Sequence, residues 1–313
     1  MGADVSFDRH ITISTETKAN GVLKWLGYKD INDEKIKEII DNKKLQYLQI
    51  SEYLPDEAYQ VIDYVLSLRP DITFRLFHFL NEDRIDISFL KDMPHVNRLS
   101  IDCINLKDDP TKINLDVLTS LHLKSLRLDC FDLRDYSLIQ ELSDELESLS
   151  VMADTMGPGI NFDCSWLMKY AHLNTIWLGK KAKKNLESLG QHPSLKSMEL
   201  RGIKLKDFSW LKQMNLEKFA LLWNSNDDLH ELSDLNSLKE IELWRINKLN
   251  DISFFKELKN LEIIKLQDLK HVESLPDLSE HVNLQRLFLI DTGIDINKLP
   301  NYLKSKVSTW DDR

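Results

Sequence analysis

The chain has 313 residues, 42% hydrophobic and 29% charged, and its 51 acidic and 41 basic side chains leave a net charge of −10. That balance argues against generic nucleic-acid binding, which needs cations to neutralise phosphates, and against an anionic membrane surface; it suits a basic protein partner. Cys103, Cys130 and Cys164 are too few for a disulfide scaffold and leave an odd thiol, so a reducing, cytoplasmic setting is expected, and no leader-like or bilayer-length apolar run is visible.

Residues 1–44 carry no repeat. Ile11-Thr12-Ile13 reads as a short strand, and Asn32 is placed to cap a helix with Ile36, Ile39 and Ile40 on one face. Residues 56–68 read as a longer helix with Val61, Ile62, Val65 and Leu66 inward, ending before Pro70.

From Leu45 onward the string L-x-x-L-x-L recurs. Its clearest copies are Leu173-x-x-Ile176-x-Leu178, Leu195-x-x-Met198-x-Leu200, Leu238-x-x-Ile241-x-Leu243 and Leu284-x-x-Leu287-x-Leu289. The first positions mark eleven rungs, at Leu45, Phe74, Val96, Leu123, Leu146, Leu173, Leu195, Leu216, Leu238, Leu261 and Leu284. Spacing is near 22 residues in the second half and uneven in the first. After several markers the apolar period changes from two to three, as in Ile87, Leu90 and Met93, Phe208, Leu211 and Met214, or Ile252, Phe255 and Leu258. A short strand followed by a tight helical turn satisfies both periods.

The turns Asp86-Ile87-Ser88-Phe89-Leu90, Asp207-Phe208-Ser209-Trp210-Leu211 and Asp251-Ile252-Ser253-Phe254-Phe255 precede new strands. With these motifs the chain resembles a leucine-rich repeat protein of the short-repeat class typified by bacterial internalins. The resemblance spans about residues 45–295 and implies an α/β fold: a right-handed solenoid, or horseshoe, with a parallel β-sheet on the concave face. Residues 1–44 are expected to form an N-terminal cap, and residues 296–313 a C-terminal cap using Tyr302, Leu303, Val307 and Trp310. One departure is clear. Where that class carries an asparagine beyond the strand, this chain has Ile104, Phe131, Lys181, Ile203, Ile246, Leu269 and Thr292, and only Asn224 conforms. Apolar packing is expected to replace the asparagine ladder.

Alternation along each strand turns the markers inward and the residues between them outward, and parallel rungs stack equivalent positions into columns. One column runs Trp177, Glu199, Ala220, Glu242, Lys265, Phe288; the next runs Gly179, Arg201, Leu222, Trp244, Gln267, Ile290; beyond it lie Trp223, Arg245, Asp268 and Asp291. Trp and Arg are the residues enriched where binding energy concentrates. The expected protein-binding set is therefore Trp177, Glu199, Arg201, Trp223, Glu242, Trp244, Arg245, Lys265 and Phe288. In the first half, Asp102 and Asp129 are expected to be lateral neighbours, as are Cys103 and Cys130, with Arg98 and Arg127 balancing the aspartates.

No phosphate loop, nucleophile elbow or zinc-protease motif is present, and His95, His122, His172, His192 and His281 fall at turns without forming a ligand set. The expectation is a non-catalytic protein-binding module without cofactor or metal, monomeric when unbound. It is expected to act as an intracellular immunity protein or inhibitor that sequesters a protein target. Two alternatives stay open: an internalin-like adhesin or host-targeting effector, and a metalloprotein or enzyme using the Asp102/Asp129 cluster with its cysteines.

Overall fold

The computed structural model describes residues 9–20, 23–79, 84–106, 109–155 and 157–308; Trp310 and the side chain of Cys103 lie outside the described set. The chain divides into two compact units, residues 1–162 and 163–313.

In the first unit the elements are β1 (His10–Ser14), β2 (Lys18–Asn20), β3 (Leu23–Gly27), α1 (Asp33–Asp41), β4 (Tyr47–Ile50), α2 (Asp56–Leu68), β5 (Thr73–Phe77), β6 (Arg98–Asn105), β7 (Ser125–Phe131) and β8 (Ser148–Val151). Its strands lie in the order β2-β3-β1-β4-β5-β6-β7-β8. Neighbours are parallel except β2 and β3, which are antiparallel, so the sheet expected to be parallel ends in one reversed strand. The Ile11-Thr12-Ile13 strand is β1, and it pairs directly with β4.

Asn32 caps α1 by accepting from the Lys35 amide at 3.0 Å, satisfying one of the donors a helix start leaves open. α2 has the expected limits, with Ile62, Val65 and Leu66 buried; Val61 is only half-buried, and Ala58 and Tyr59 fill the face instead. The buried Arg69 donates to the carbonyls of Ile39 (2.7 Å) and Asn42 (3.1 Å) at the end of α1 and holds Asp71 at 2.7 Å. A cation there meets the negative end of the helix and ties α1 to the turn after α2.

In the second unit β9 (Thr175–Gly179), β10 (Ser197–Arg201), β11 (Lys218–Leu222), β12 (Glu240–Trp244), β13 (Ile263–Gln267), β14 (Arg286–Ile290) and β15 (Val307–Ser308) lie in chain order, with α3 (Asn301–Lys304) before the last strand. Every neighbouring pair from β9 to β15 is parallel. Near the chain end, Leu303 is buried, and the Tyr302 hydroxyl accepts from the Leu278 amide at 3.3 Å and reaches Asp277 at 3.2 Å.

The marker leucines form the cores. Leu173, Ile176 and Leu178 are buried, as are Leu238, Ile241 and Leu243. Burial of each such side chain contributes about 1.5–3 kcal/mol, and stacking makes the contribution recur every rung. The expected period-three turns are 3-10 helices at Ser88–Asp92, Ser209–Gln213 and Ser253–Glu257. In each, the aspartate two residues ahead accepts the first turn's amide: Asp86 from Ser88 at 2.9 Å, Asp207 from Ser209 at 3.1 Å and Asp251 from Ser253 at 2.8 Å. The same device recurs at Asp135, Asp163 and Asp277. Short parallel strands, capped 3-10 returns and this leucine core make both units leucine-rich repeat arrays of the α/β class.

Three sequence expectations change. Leu48 pairs with Phe74 and Phe74 with Leu99, so Phe74 occupies the second apolar position of its string and the rung begins at Asp71, where an apolar marker is missing. The early steps then become 26 and 25 residues, which makes the first unit more regular than the string alone suggests. Apolar packing replaces the asparagine at the buried Ile104, Ile203, Ile246 and Leu269, but Phe131, which matches them by sequence spacing alone and pairs with Asn105, is exposed. Asn224 acts as the class asparagine does, donating to the Ile203 carbonyl and accepting from the Asn226 amide at 2.7 Å.

Candidate functional site

The register of the second unit reproduces the expected columns. Trp177 pairs with Glu199, Glu199 with Ala220, Ala220 with Glu242, Glu242 with Lys265 and Lys265 with Phe288. Arg201 pairs with Leu222, Leu222 with Trp244 and Trp244 with Gln267. Their side chains do not form one continuous patch. Trp177 is half-buried and donates its indole N–H to Glu199. Lys265 bridges Glu240 at 2.5 Å and Glu242 at 3.7 Å, and Lys218 reaches Glu240 at 2.9 Å. Phe288, expected on the open face, is 1% exposed and so is already covered. Leu222 is buried as well.

What does come together is a cluster at the strand ends. Trp223 is 37% exposed, with the Arg201 guanidinium 4.3 Å and the Arg245 guanidinium 5.0 Å from its ring centre. Trp244 meets Trp223 edge-on, with centroids 5.8 Å apart and planes at 87°. The Trp244 indole N–H donates to Asp268 at 2.8 Å, and Arg245 reaches the same carboxylate oxygen at 3.1 Å. Column position alone groups Asp268 with these residues, but not its role in fixing both the Trp244 ring and the Arg245 fork.

Backbone geometry explains why these side chains stand out. The residue following each strand from β10 to β14 turns left-handed, and after β11, β12 and β13 its amide still donates to the next rung. Trp223 donates to the Trp244 carbonyl at 2.7 Å, Arg245 to Gln267 at 2.9 Å and Asp268 to Ile290 at 2.9 Å. The φ values are +66° at Gly202, +53° at Trp223 and Arg245, and +51° at Asp268 and Asp291. Gly and Asp adopt this region readily, whereas a Trp or Arg pays about 1–2 kcal/mol for it. Trp223 and Arg245 thus hold large side chains at two positions where the fold alone favours small ones.

The acidic cluster of the first unit has a different character. Asp102, its side chain 4% exposed, receives the Arg75 guanidinium at 2.7 and 3.0 Å and the Ser100 hydroxyl at 2.9 Å. Arg75 also donates to Gln49 at 3.0 Å, Gln49 donates to Thr12 at 2.8 Å, and the guanidinium lies 4.1 Å from the Phe77 ring centre. Arg127 reaches Asp129 at 3.3 Å and Asp102 at 3.8 Å, whereas Arg98 pairs with Glu147 instead of an aspartate. Burial raises the Asp129 carboxyl above its ordinary value, against the pull of Arg127. Asp102 and Asp129 are lateral neighbours, but a bulge between Asp102 and Ile104 places Ile104, not Cys103, beside Cys130. The paired-thiol expectation is corrected accordingly. Burial also pushes the Cys130 thiol well above the ordinary thiol range. Among the described residues, no three His, Cys, Asp or Glu side chains gather to hold a metal ion, and no helix is long and apolar enough to cross a membrane.

No family model and no curated protein matches the chain. Among solved structures, an internalin of Listeria monocytogenes is similar over 85% of this chain and 79% of that one, at 19% identity and a TM-score of 0.46. The functional domain of InlJ from the same organism is similar over 82% of this chain and 51% of that one, at 15% identity and a TM-score of 0.40. A leucine-rich repeat protein of Leptospira interrogans is similar over 87% and 92% respectively, at 16% identity and a TM-score of 0.36. The leucine-rich repeat assignment itself rests on the strand register and buried leucines of this chain.

Proposed function

We propose that the chain is a non-catalytic protein-binding module whose contact surface is centred on Trp223, with Arg201, Trp244 and Arg245 around it. The observation that carries this reading is an exposed tryptophan on a left-handed backbone, flanked by two guanidiniums. An exposed aromatic framed by arginines is the composition in which a few residues supply most of the binding energy. Its conformation is set before any partner arrives, so little ordering entropy is lost on contact. Trp177 with Glu199, and Lys265 with Glu242, extend the surface as a rim of mutually paired polar groups.

The finer reading is an intracellular protein that sequesters and neutralises one target, as an immunity protein or inhibitor does. Repeat arrays support this role because equivalent side chains on successive rungs form one extended surface. The test is affinity capture from a native lysate with the full chain and with a Trp223→Ala/Arg245→Ala variant. The expected result is one dominant partner that the variant loses while its melting temperature barely moves, and whose own activity falls in proportion to added wild-type chain. Equal capture by both proteins would show that the surface lies elsewhere.

A further inference from the structure

The residues that follow β10, β12 and β13 place cations where nothing among the described residues answers them. Lys204, Lys248 and Lys270 are exposed and have no ion-pair or hydrogen-bond partner among the described residues. Two open depressions, of about 320 and about 290 Å³, run along this edge and share Arg245 and Asn247. Lys204, Trp223 and Asn224 line the first; Asp268, Lys270 and His271 line the second. Asp268 is the one acid among these lining residues, and it is committed to Trp244 and Arg245. Lys204, Arg245 and Lys270 therefore outnumber it, within a chain whose net charge is −10. Local charge at the exposed tryptophan thus runs opposite to the charge of the whole.

We propose that this strand-end ledge docks a short acidic segment of the protein partner. Its carboxylates meet Lys204, Arg245 and Lys270, and an apolar side chain beside them lies on Trp223. The proposal rests on the protein-binding reading above and adds the chemistry of the partner. Complementary charge steers the encounter and fixes the register, while the indole supplies desolvated contact area. Asp268 and Asp291 follow on the next rungs and interrupt the basic run. That interruption favours a few placed carboxylates over a continuous polyanion such as nucleic acid.

The test pans a random dodecapeptide library on the full chain. Enriched peptides are then titrated by fluorescence anisotropy against the wild type, Trp223→Ala and Lys204→Glu/Lys270→Glu, with a single-stranded oligonucleotide as rival ligand. Expected are peptides rich in Asp and Glu, weakened about tenfold or more by the charge reversal and by raised salt. Both lysines are exposed and unpaired among the described residues, so their reversal leaves the fold intact, as the unchanged circular dichroism should confirm. Neutral or basic peptides, or no enrichment, would overturn the proposal. Peptides that lose binding to Trp223→Ala but ignore the charge reversal would overturn the acidic ledge and leave the binding surface standing. Indifference to both variants would overturn both readings. Tighter binding of the oligonucleotide would overturn the peptide occupant.

Discussion

On the outward face of the first unit, Thr12, Gln49, Arg75 and Asp102 bond to one another across neighbouring strands, Ser100 joins Asp102 along β6, and most of them are buried. At the strand ends of the second unit, Trp223 and Arg245 are exposed, and Lys204 and Lys270 beside them have no partner among the described residues. Both units stack short, mostly parallel strands over a leucine-rich core. The outward positions contribute little to that core, so they are free to differ: one face consolidates the fold, and the other is left available for contact. A network that satisfies its own donors and acceptors offers a partner little to gain, because each bond made outward would break one inward.

The largest effect that would break this contrast lies in the first unit. Asp102→Ala strips the carboxylate from Arg75 and Ser100 and leaves a guanidinium without its counter-ion. Removing one member of a fully buried pair costs about 3–5 kcal/mol. The Arg75 side chain keeps 23% exposure, so we expect about 2–3 kcal/mol, read as a lowered urea midpoint. The matching change in the second unit, Glu240→Ala, removes contacts to Lys218 and Lys265, whose side chains keep 60% and 21% exposure; about 1 kcal/mol is expected. Equal losses would mean that the two faces are held alike and that the contrast is only one of composition.

Acid should separate the units next. His192 and His281, both in the second unit, are buried with their Nε2 atoms 3.2 Å from the Leu167 carbonyl and 2.8 Å from the Phe255 carbonyl. Burial lowers both imidazole pKa values below the ordinary one. The unfolded chain therefore takes up protons near pH 6.5 that the folded unit refuses. Stability from these groups is complete above about pH 6.5 and is lost as pH falls through the lower folded values. In the first unit, the raised Asp129 carboxyl works in the opposite direction, gaining protons on folding. Six of the seven tryptophans lie in residues 163–313, so indole fluorescence reports mainly on that unit. Its denaturation midpoint should fall between pH 7 and pH 5, and His192→Gln/His281→Gln should flatten the fall. A fall of the same size in the double variant would assign the acid sensitivity to other groups.

How much of this was legible in the sequence follows from periodicity. The columns could be read because alternation and parallel stacking leave no freedom once the leucine positions are known, and the end of α2 could be placed because Pro70 follows it. The bulge beside Cys103 was not legible, since one extra residue in a strand changes the register without changing the composition. Arg69 was hidden because its partners are backbone carbonyls about 30 residues earlier. The burial of Phe288 depends on what lies over the sheet, which strand alternation does not encode. The ledge of Lys204, Arg245 and Lys270 belongs to the returns between strands, where no apolar period aligns one rung with the next.

The smallest expected effect isolates the backbone beneath the binding residue. Trp223→Ala and Trp223→Asn delete the same contacts to Arg201, Arg245 and Trp244, so their difference reports on φ alone to first order. Asparagine tolerates the left-handed region that position 223 requires, and alanine does not. The Asn variant should therefore be more stable than the Ala variant by about 0.5–1 kcal/mol, although both should lose the partner equally. Chemical denaturation followed by circular dichroism resolves a difference of that size when the slopes match. If the two variants unfold together, the left-handed turn is not maintained in solution and the indole is not held ready for contact. Binding would then have to supply the ordering of Trp223, and the second unit would differ from the first in composition without the preorganisation that makes its exposed face useful.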